Sequence, residues 1–184
     1  MSLLTCKLQV IIYRSGGSGV QGREHFSGRE EGKMAEDKAT PDGGGFSGGC
    51  LCGAVRYESA MVPAIIGQCH CDDCRKTSGT DHSTLLAIPE EALRLTGTLK
   101  YFDNPTDRGN VVSRGFCPEC GASIASRNSS MPGMVFVKAS SLDDLEIAKP
   151  QMIVYASRAP SWRYLDPALP TFAEMPPQMP KEMG

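Results

Sequence analysis

No stretch of the chain approaches the roughly 18 to 20 uninterrupted apolar residues that a helix needs to cross a bilayer, and Leu8 to Tyr13 is only a short apolar run. A membrane helix is therefore not expected. Positive charge is not in excess either. The formal net charge is -2, which gives no reason to expect the broad basic face that grips phosphate backbones, so nucleic acid is not an expected partner. A secretory signal needs a basic start, a longer apolar stretch and a small-residue cleavage site, and Met1 to Gly19 supplies these poorly. A soluble, cytoplasmic protein is the expectation. The chain also lacks a repeat with a period of about 20 to 50 residues, which removes solenoids and propellers. What remains is a chain of 184 residues, long enough for one domain with a core that needs no disulfide staples.

The organisation changes along the chain. Gly, Ser and Arg are dispersed through Ser15 to Lys33 with no helical or strand period, and the polar segment from Met34 ends in Gly43-Gly44-Gly45. Residues 1–45 therefore read as a disordered leader. Arg29-Glu30-Glu31-Gly32-Lys33 has residue types whose codons can be purine-rich, as a ribosome-binding site is, which makes Met34 a hypothetical native start. The intact mass of protein made from the native gene tests that hypothesis, which fails if residues 1–33 are present. The folded domain is expected over residues 46–165 and a proline-rich tail over 166–184, wrapping or loose, with Pro167, Pro170, Pro176, Pro177 and Pro180 preventing regular structure.

Between these limits, β-branched and aromatic runs recur between turn signals: Ala54 to Glu58, Val62 to Gln68, Ser83 to Pro89, Thr98 to Phe102, Val111 to Phe116, Met134 to Ala139 and Met152 to Ala156. Their spacing predicts a mainly β fold of antiparallel sheets. Helical signals are confined to Asp72 to Ser78 and Pro89 to Ala92, each good for one or two turns.

Seven cysteines fall in this domain in three groups, Cys50-x-Cys52, Cys69-x-Cys71-x-x-Cys74 and Cys117-x-x-Cys120, with Cys6 alone in the leader. Pairs one or two residues apart can turn both sulfurs toward one ion, with zinc–sulfur bonds of about 2.3 Å. Disulfides are the competing account. Against them stand the strain of a Cys-x-Cys loop, the odd count and the absence of a secretory context. A thioredoxin-like redox site would need a Cys-x-x-Cys at a strand-to-helix junction in a βαβ pattern, which this β-rich chain does not offer.

Phe116-Cys117-Pro118-Glu119-Cys120-Gly121 reads as a zinc knuckle, in which Pro sets the turn and Gly lets backbone amides approach the sulfurs. One knuckle supplies two ligands. Either Cys50 with Cys52 or part of the Cys69 group could complete a tetrahedral site, and spacing leaves both open. The economical partition puts Cys50, Cys52, Cys117 and Cys120 in one closed site and leaves Cys69, Cys71 and Cys74 as a three-ligand site. An open fourth position distinguishes catalytic from structural zinc.

Three segments match a known family in order and spacing. Gly49-Cys50-Leu51-Cys52-Gly53-Ala54-Val55-Arg56-Tyr57, Cys69-His70-Cys71-Asp72-Asp73-Cys74-Arg75-Lys76-Thr77-Ser78-Gly79 and Phe116 to Gly121 together resemble the glutathione-dependent formaldehyde-activating enzyme family, which also includes centromere protein V-like members. The resemblance runs from about Phe46 to Trp162, through Ser141-Leu142-Asp143-Asp144 and Ser157-Arg158-Ala159-Pro160. It implies a β-tent fold, a structural zinc on Cys50, Cys52, Cys117 and Cys120, and a catalytic zinc on Cys69, Cys71 and Cys74. The implied reaction joins formaldehyde and glutathione, the co-substrate, into S-hydroxymethylglutathione; in reverse it is a carbon–sulfur lyase.

Zinc on three thiolates carries a formal charge near -1, so Arg75 and Lys76 could offset it, bind substrate carboxylates, or simply be solvated. Arg158 and Trp162, with Tyr164, could wall a substrate pocket, although a lone tryptophan near a domain's end also serves to seal a core. His70 and His82 could relay a proton or be structural. Asp72 and Asp73 are expected to cap the short helix. Two other functions stay open: a lyase or transferase acting on another thiol adduct, and a non-catalytic zinc module that binds a macromolecule.

Overall fold

The computed structural model describes residues 44–176. The readings made on Cys6, on the Met34 start and on the segment from Ser15 to Lys33 lie outside the described residues, as do Pro177 and Pro180.

Short β-branched runs separated by glycine and proline favour strand pairing over helix, because each run is too brief to nucleate a helix but long enough to fill one edge of a sheet. The strands are β1 (Phe46–Gly49), β2 (Arg56–Ser59), β3 (Ile65–Cys69), β4 (Ser83–Pro89), β5 (Leu93–Thr96), β6 (Lys100–Pro105), β7 (Val111–Phe116), β8 (Ser123–Asn128), β9 (Met134–Lys138) and β10 (Met152–Val154). The single α-helix among the described residues, α1 (Asp72–Ser78), lies between β3 and β4. One sheet has the order β1-β2-β5 and the other β10-β3-β4-β9-β8-β7-β6. Every pairing is antiparallel except β10 on β3.

The mainly β architecture is the one expected. Each of the seven expected strands forms, and the helix keeps its expected bounds. Three strands were not anticipated. β1 is a Phe-Ser-Gly-Gly segment, β5 is a four-residue strand directly after a 3₁₀ turn, and β8 is largely small and polar. Each owes its extended form to its neighbours in the sheet rather than to its own propensity.

The seven-stranded sheet has two different faces. Ile66, Leu86, Ile88, Val135 and Val137 point into the main core, where they meet Phe46 and Tyr57 from the first sheet and Val55 just before β2. The alternate residues face the other way. The register sets Cys69 opposite Ser83, Leu85 opposite Lys138 and Val154 opposite Cys69. On this second face Cys69, Cys74, Met152 and Val154 form a smaller cluster beneath α1. The proline-rich segment runs beside β10, with the Phe172 amide donating to Ile153 O at 2.8 Å and the Ile153 amide donating to Pro170 O at 2.9 Å. Phe172 packs on the smaller cluster.

Candidate metal centres

Two tight turns bring four cysteines together. After β1 the chain reverses at Cys50–Ala54, with the Cys50 amide donating to Val55 O at 2.9 Å and the Val55 amide donating to Cys50 Sγ at 3.2 Å. After β7 the Cys117 amide donates to Ala122 O and the Gly121 amide to Cys117 O, both at 2.9 Å. Gly121 sits at φ +73, where a side chain would be strained, so glycine is needed for the knuckle to close. The Ala122 amide heads the groups that pull the Cys120 thiol down to about 6.

The sulfurs of Cys50, Cys52, Cys117 and Cys120 lie within 4.8 Å of one another. Cys50 Sγ is 3.5 Å from Cys52 Sγ, and Cys52 Sγ is 3.7 Å from Cys117 Sγ. Tetrahedral zinc with bonds of about 2.3 Å would place its sulfurs about 3.8 Å apart, so this donor set fits the ion. The seven cysteines of the described residues are free thiols.

The second group is built on α1. Cys69 ends β3, Cys71 stands at the helix N-cap and Cys74 lies in the first turn, with their sulfurs within 4.8 Å of one another. The expected capping role of Asp72 and Asp73 is corrected here. Cys71 Sγ itself accepts from the Cys74 amide at 3.4 Å, because the residue before the first helical turn is the one placed to cap. Asp73 instead reaches the sheet, accepting from Asn104 Nδ2 at 2.9 Å and Arg114 Nη2 at 3.1 Å. Asp72 pairs with Arg75 at 2.9 Å.

Crowding decides the proton chemistry of this group. Cys69 and Cys74 donate toward Cys71 and pull its thiol far below the usual range, to about 2. Cys69 is pushed up by Cys71, by Cys74 and by burial. Three sulfurs this close cannot all carry charge without a cation, which is the environment a divalent ion requires. No fourth His, Cys, Asp or Glu joins the group among the described residues.

Around it stand groups that the cysteine pattern did not disclose. Lys138 is 3% exposed and donates from Nζ to Ser83 Oγ at 3.0 Å. Tyr155 packs on the smaller cluster with its backbone held at φ +57, an unusual conformation for a residue with a side chain. His70 is buried and stacks on His82 with ring centroids 5.3 Å apart, and Asp81 lies 3.2 Å from His82 Nδ1.

Of the four residues expected near substrate, Arg158 is half-buried and lies 3.8 Å from Asp72, at the start of α1, with its guanidinium over the Tyr155 ring. Arg75 and Lys76 are exposed on α1. Trp162 is 74% exposed and does not seal the core. A cleft of about 530 Å³ lies beside the four-cysteine group, lined by Cys50, Arg56, Ser78 and Asp143 among others, but Cys69, Cys71 and Cys74 do not border it.

Fold and site together define a mainly β protein that carries one four-cysteine and one three-cysteine group of metal-binding geometry. The sequence model of the glutathione-dependent formaldehyde-activating enzymes matches residues 45–158, more than half of the chain, and the protein belongs to that family. A Penicillium rubens protein, provisionally named a glutathione-dependent formaldehyde-activating enzyme, is 25% identical over 132 residues, covering 67% of this chain and 69% of that protein. A solved structure of a Rhodobacter sphaeroides protein is 21% identical with a TM-score of 0.46, covering 56% of this chain and 96% of its own, and is too distant to bear on function.

Proposed function

We propose that this protein is a zinc-dependent carbon–sulfur lyase or synthase that joins formaldehyde to glutathione as S-hydroxymethylglutathione. Family membership supports formaldehyde and glutathione at the level of the class. The observation that carries the catalytic reading is the three-cysteine group, whose donor set is one ligand short of a closed tetrahedral site. Cys50, Cys52, Cys117 and Cys120 would hold a structural zinc, and Cys69, Cys71 and Cys74 a catalytic one. Zinc in the second site supplies Lewis acidity, which lowers the pKa of a thiol or polarises a carbonyl oxygen.

In the reaction the glutathione sulfur attacks the formaldehyde carbon and a carbon–sulfur bond forms. The carbonyl π pair moves to oxygen, which takes up one proton as the thiol gives up one. The chain's own residues prepare this step. Cys71 at the head of α1 and Cys69 at the end of β3 fix the donors on two different elements, so the site exists only in the folded chain. Met152, Val154 and Phe172 supply an apolar floor that limits water. Arg158, beside Asp72 at the start of α1, and Arg75 and Lys76 in its last turn would meet a glutathione carboxylate.

The test joins zinc content under reducing conditions to an NMR assay of hemithioacetal formation. Two zinc ions per chain with acceleration above the spontaneous rate are expected. Two without acceleration would move the substrate to another thiol adduct, and one or none would defeat the catalytic reading.

A further inference from the structure

Lys138 is a charged side chain placed where charge is costly. An ammonium has three hydrogens to satisfy. Among the described residues its hydrogen-bond partner is a single neutral hydroxyl, Ser83 Oγ at 3.0 Å, and burial leaves it 3% exposed. A buried cation so poorly partnered needs a negative charge nearby.

The register shows where that charge is. Ser83 stands opposite Cys69, and Lys138 stands opposite Leu85, two residues further along β4 on the same face. The ammonium therefore points along the sheet toward the three-cysteine group. Burial lowers its pKa, and the charges of Cys74, Cys69 and Cys71 act against that lowering while Arg114 adds to it. Arg114 is buried on the same side, but its charge is met by Asp73 at 3.1 Å. Lys138 has no such carboxylate among the described residues. Arg75 and Lys76, which the sequence left open as offsetting, carboxylate-binding or solvated cations, are exposed, and solvent screens them.

We propose that Lys138 is an electrostatic positioning residue for substrate, whose buried ammonium makes the three-cysteine site favour an anionic sulfur ligand over a neutral one. This rests on the reading of that group as a catalytic metal site. Three thiolates and a divalent ion sum to -1, and a thiolate ligand brings the site to -2. The ammonium returns it to -1 at a point shielded from water, where a single charge counts for most. A neutral ligand adds no charge and gains nothing comparable from the lysine. The residue thus selects the class of ligand, a thiolate, without touching it.

The test uses the full chain loaded with cobalt(II) in place of zinc, because cobalt absorption reports its ligands directly. Wild type, Lys138→Met and Lys138→Arg would each be titrated with 2-mercaptoethanol, which binds as a thiolate, and with imidazole, which binds neutral. In Lys138→Met the 2-mercaptoethanol dissociation constant should rise roughly tenfold or more while that of imidazole stays within about twofold. Lys138→Arg keeps the charge and should keep the thiolate preference. Equal weakening of both ligands in Lys138→Met, or no weakening, overturns the proposal. If Lys138→Met does not fold, loss of the preference in a folded Lys138→Arg overturns it just as well. A wild-type chain that takes one cobalt, or whose spectrum ignores thiol, brings down the catalytic reading and this inference together. Response in wild type with no change in the variants removes the inference alone.

Discussion

Asp143 joins parts of the chain that are far apart in sequence. It accepts from Ser47 Oγ at 2.7 Å and from Arg56 Nη1 at 2.9 Å, tying β1 and β2 to the turn after β9. Both partners of the ion pair are about half exposed, so solvent screening leaves it modest in strength. The Arg56 guanidinium holds the Asp143 carboxyl below the ordinary carboxylate range. A depressed native pKa stabilises the fold above the unfolded value near pH 4, and this is lost as pH falls through the native value. Asp143→Asn should cost roughly 0.5–1 kcal/mol at pH 7 in urea unfolding, with the gap to wild type closing as pH falls below the unfolded value near 4. A gap that stays constant as the carboxyl is titrated with acid would assign the loss to packing. The cysteines divide in the same manner. Cys117 is fully buried within the main core, whereas Cys71 caps a short helix outside it. Cys117→Ser should unfold the domain, while Cys71→Ser should keep the wild-type circular dichroism and lose one zinc with all activity. Equal unfolding by both would refute separate roles for the two groups.

At the scale of elements, α1 is the piece on which the site depends. Seven residues are too few for a helix to hold itself in water, so its place is set from outside. Gly79 at φ +73 closes its C-terminus, and Asp73 anchors it to Asn104 of β6 and Arg114 of β7. Asp73→Asn removes the counter-charge of a buried guanidinium and should cost about 1–3 kcal/mol. The three-cysteine zinc should then exchange faster with a chelator while the four-cysteine zinc does not; parallel loss of both would show that the anchor serves the whole fold. Although its cap, read as Asp72 and Asp73, is Cys71, the bounds of α1 were legible as a short local run between strand signals. So were the cysteine pairs and the β-branched strands β4 and β7. β1, β5 and β8 were not, because glycine, brevity or polar composition hides strands that exist only through pairing. Lys138 was hidden for a similar reason. In Val135-Phe136-Val137-Lys138 the valines face the main core, which puts the lysine on the side a local pattern assigns to solvent. The smaller cluster gathers on that side around Leu85, its partner across the sheet, and no local pattern foretells that cover.

The described residues join two cores of unequal weight, each with its own cysteine group. Cys50 and Cys117 belong to the larger core between the two sheets, while Cys69 and Cys74 belong to the smaller cluster between one sheet, α1 and Phe172. An ion in the four-cysteine group would cross-link the turn after β1 to the knuckle after β7, a closure spanning most of the domain. An ion in the three-cysteine group closes only the short loop from β3 into α1, with three donors in place of four. Binding energy at a metal site is folding energy to the extent that the site is absent from the unfolded chain, and the longer closure depends on folding more. Zinc should therefore leave in two stages on chelator titration under reducing conditions. The first equivalent should be released with the far-ultraviolet circular dichroism intact and activity gone. The second should be released together with the loss of β structure, and its removal should lower the thermal midpoint by tens of degrees. Release of both equivalents in one step, coincident with unfolding, would mean that the two cores form one cooperative unit and that the catalytic ion also holds the fold.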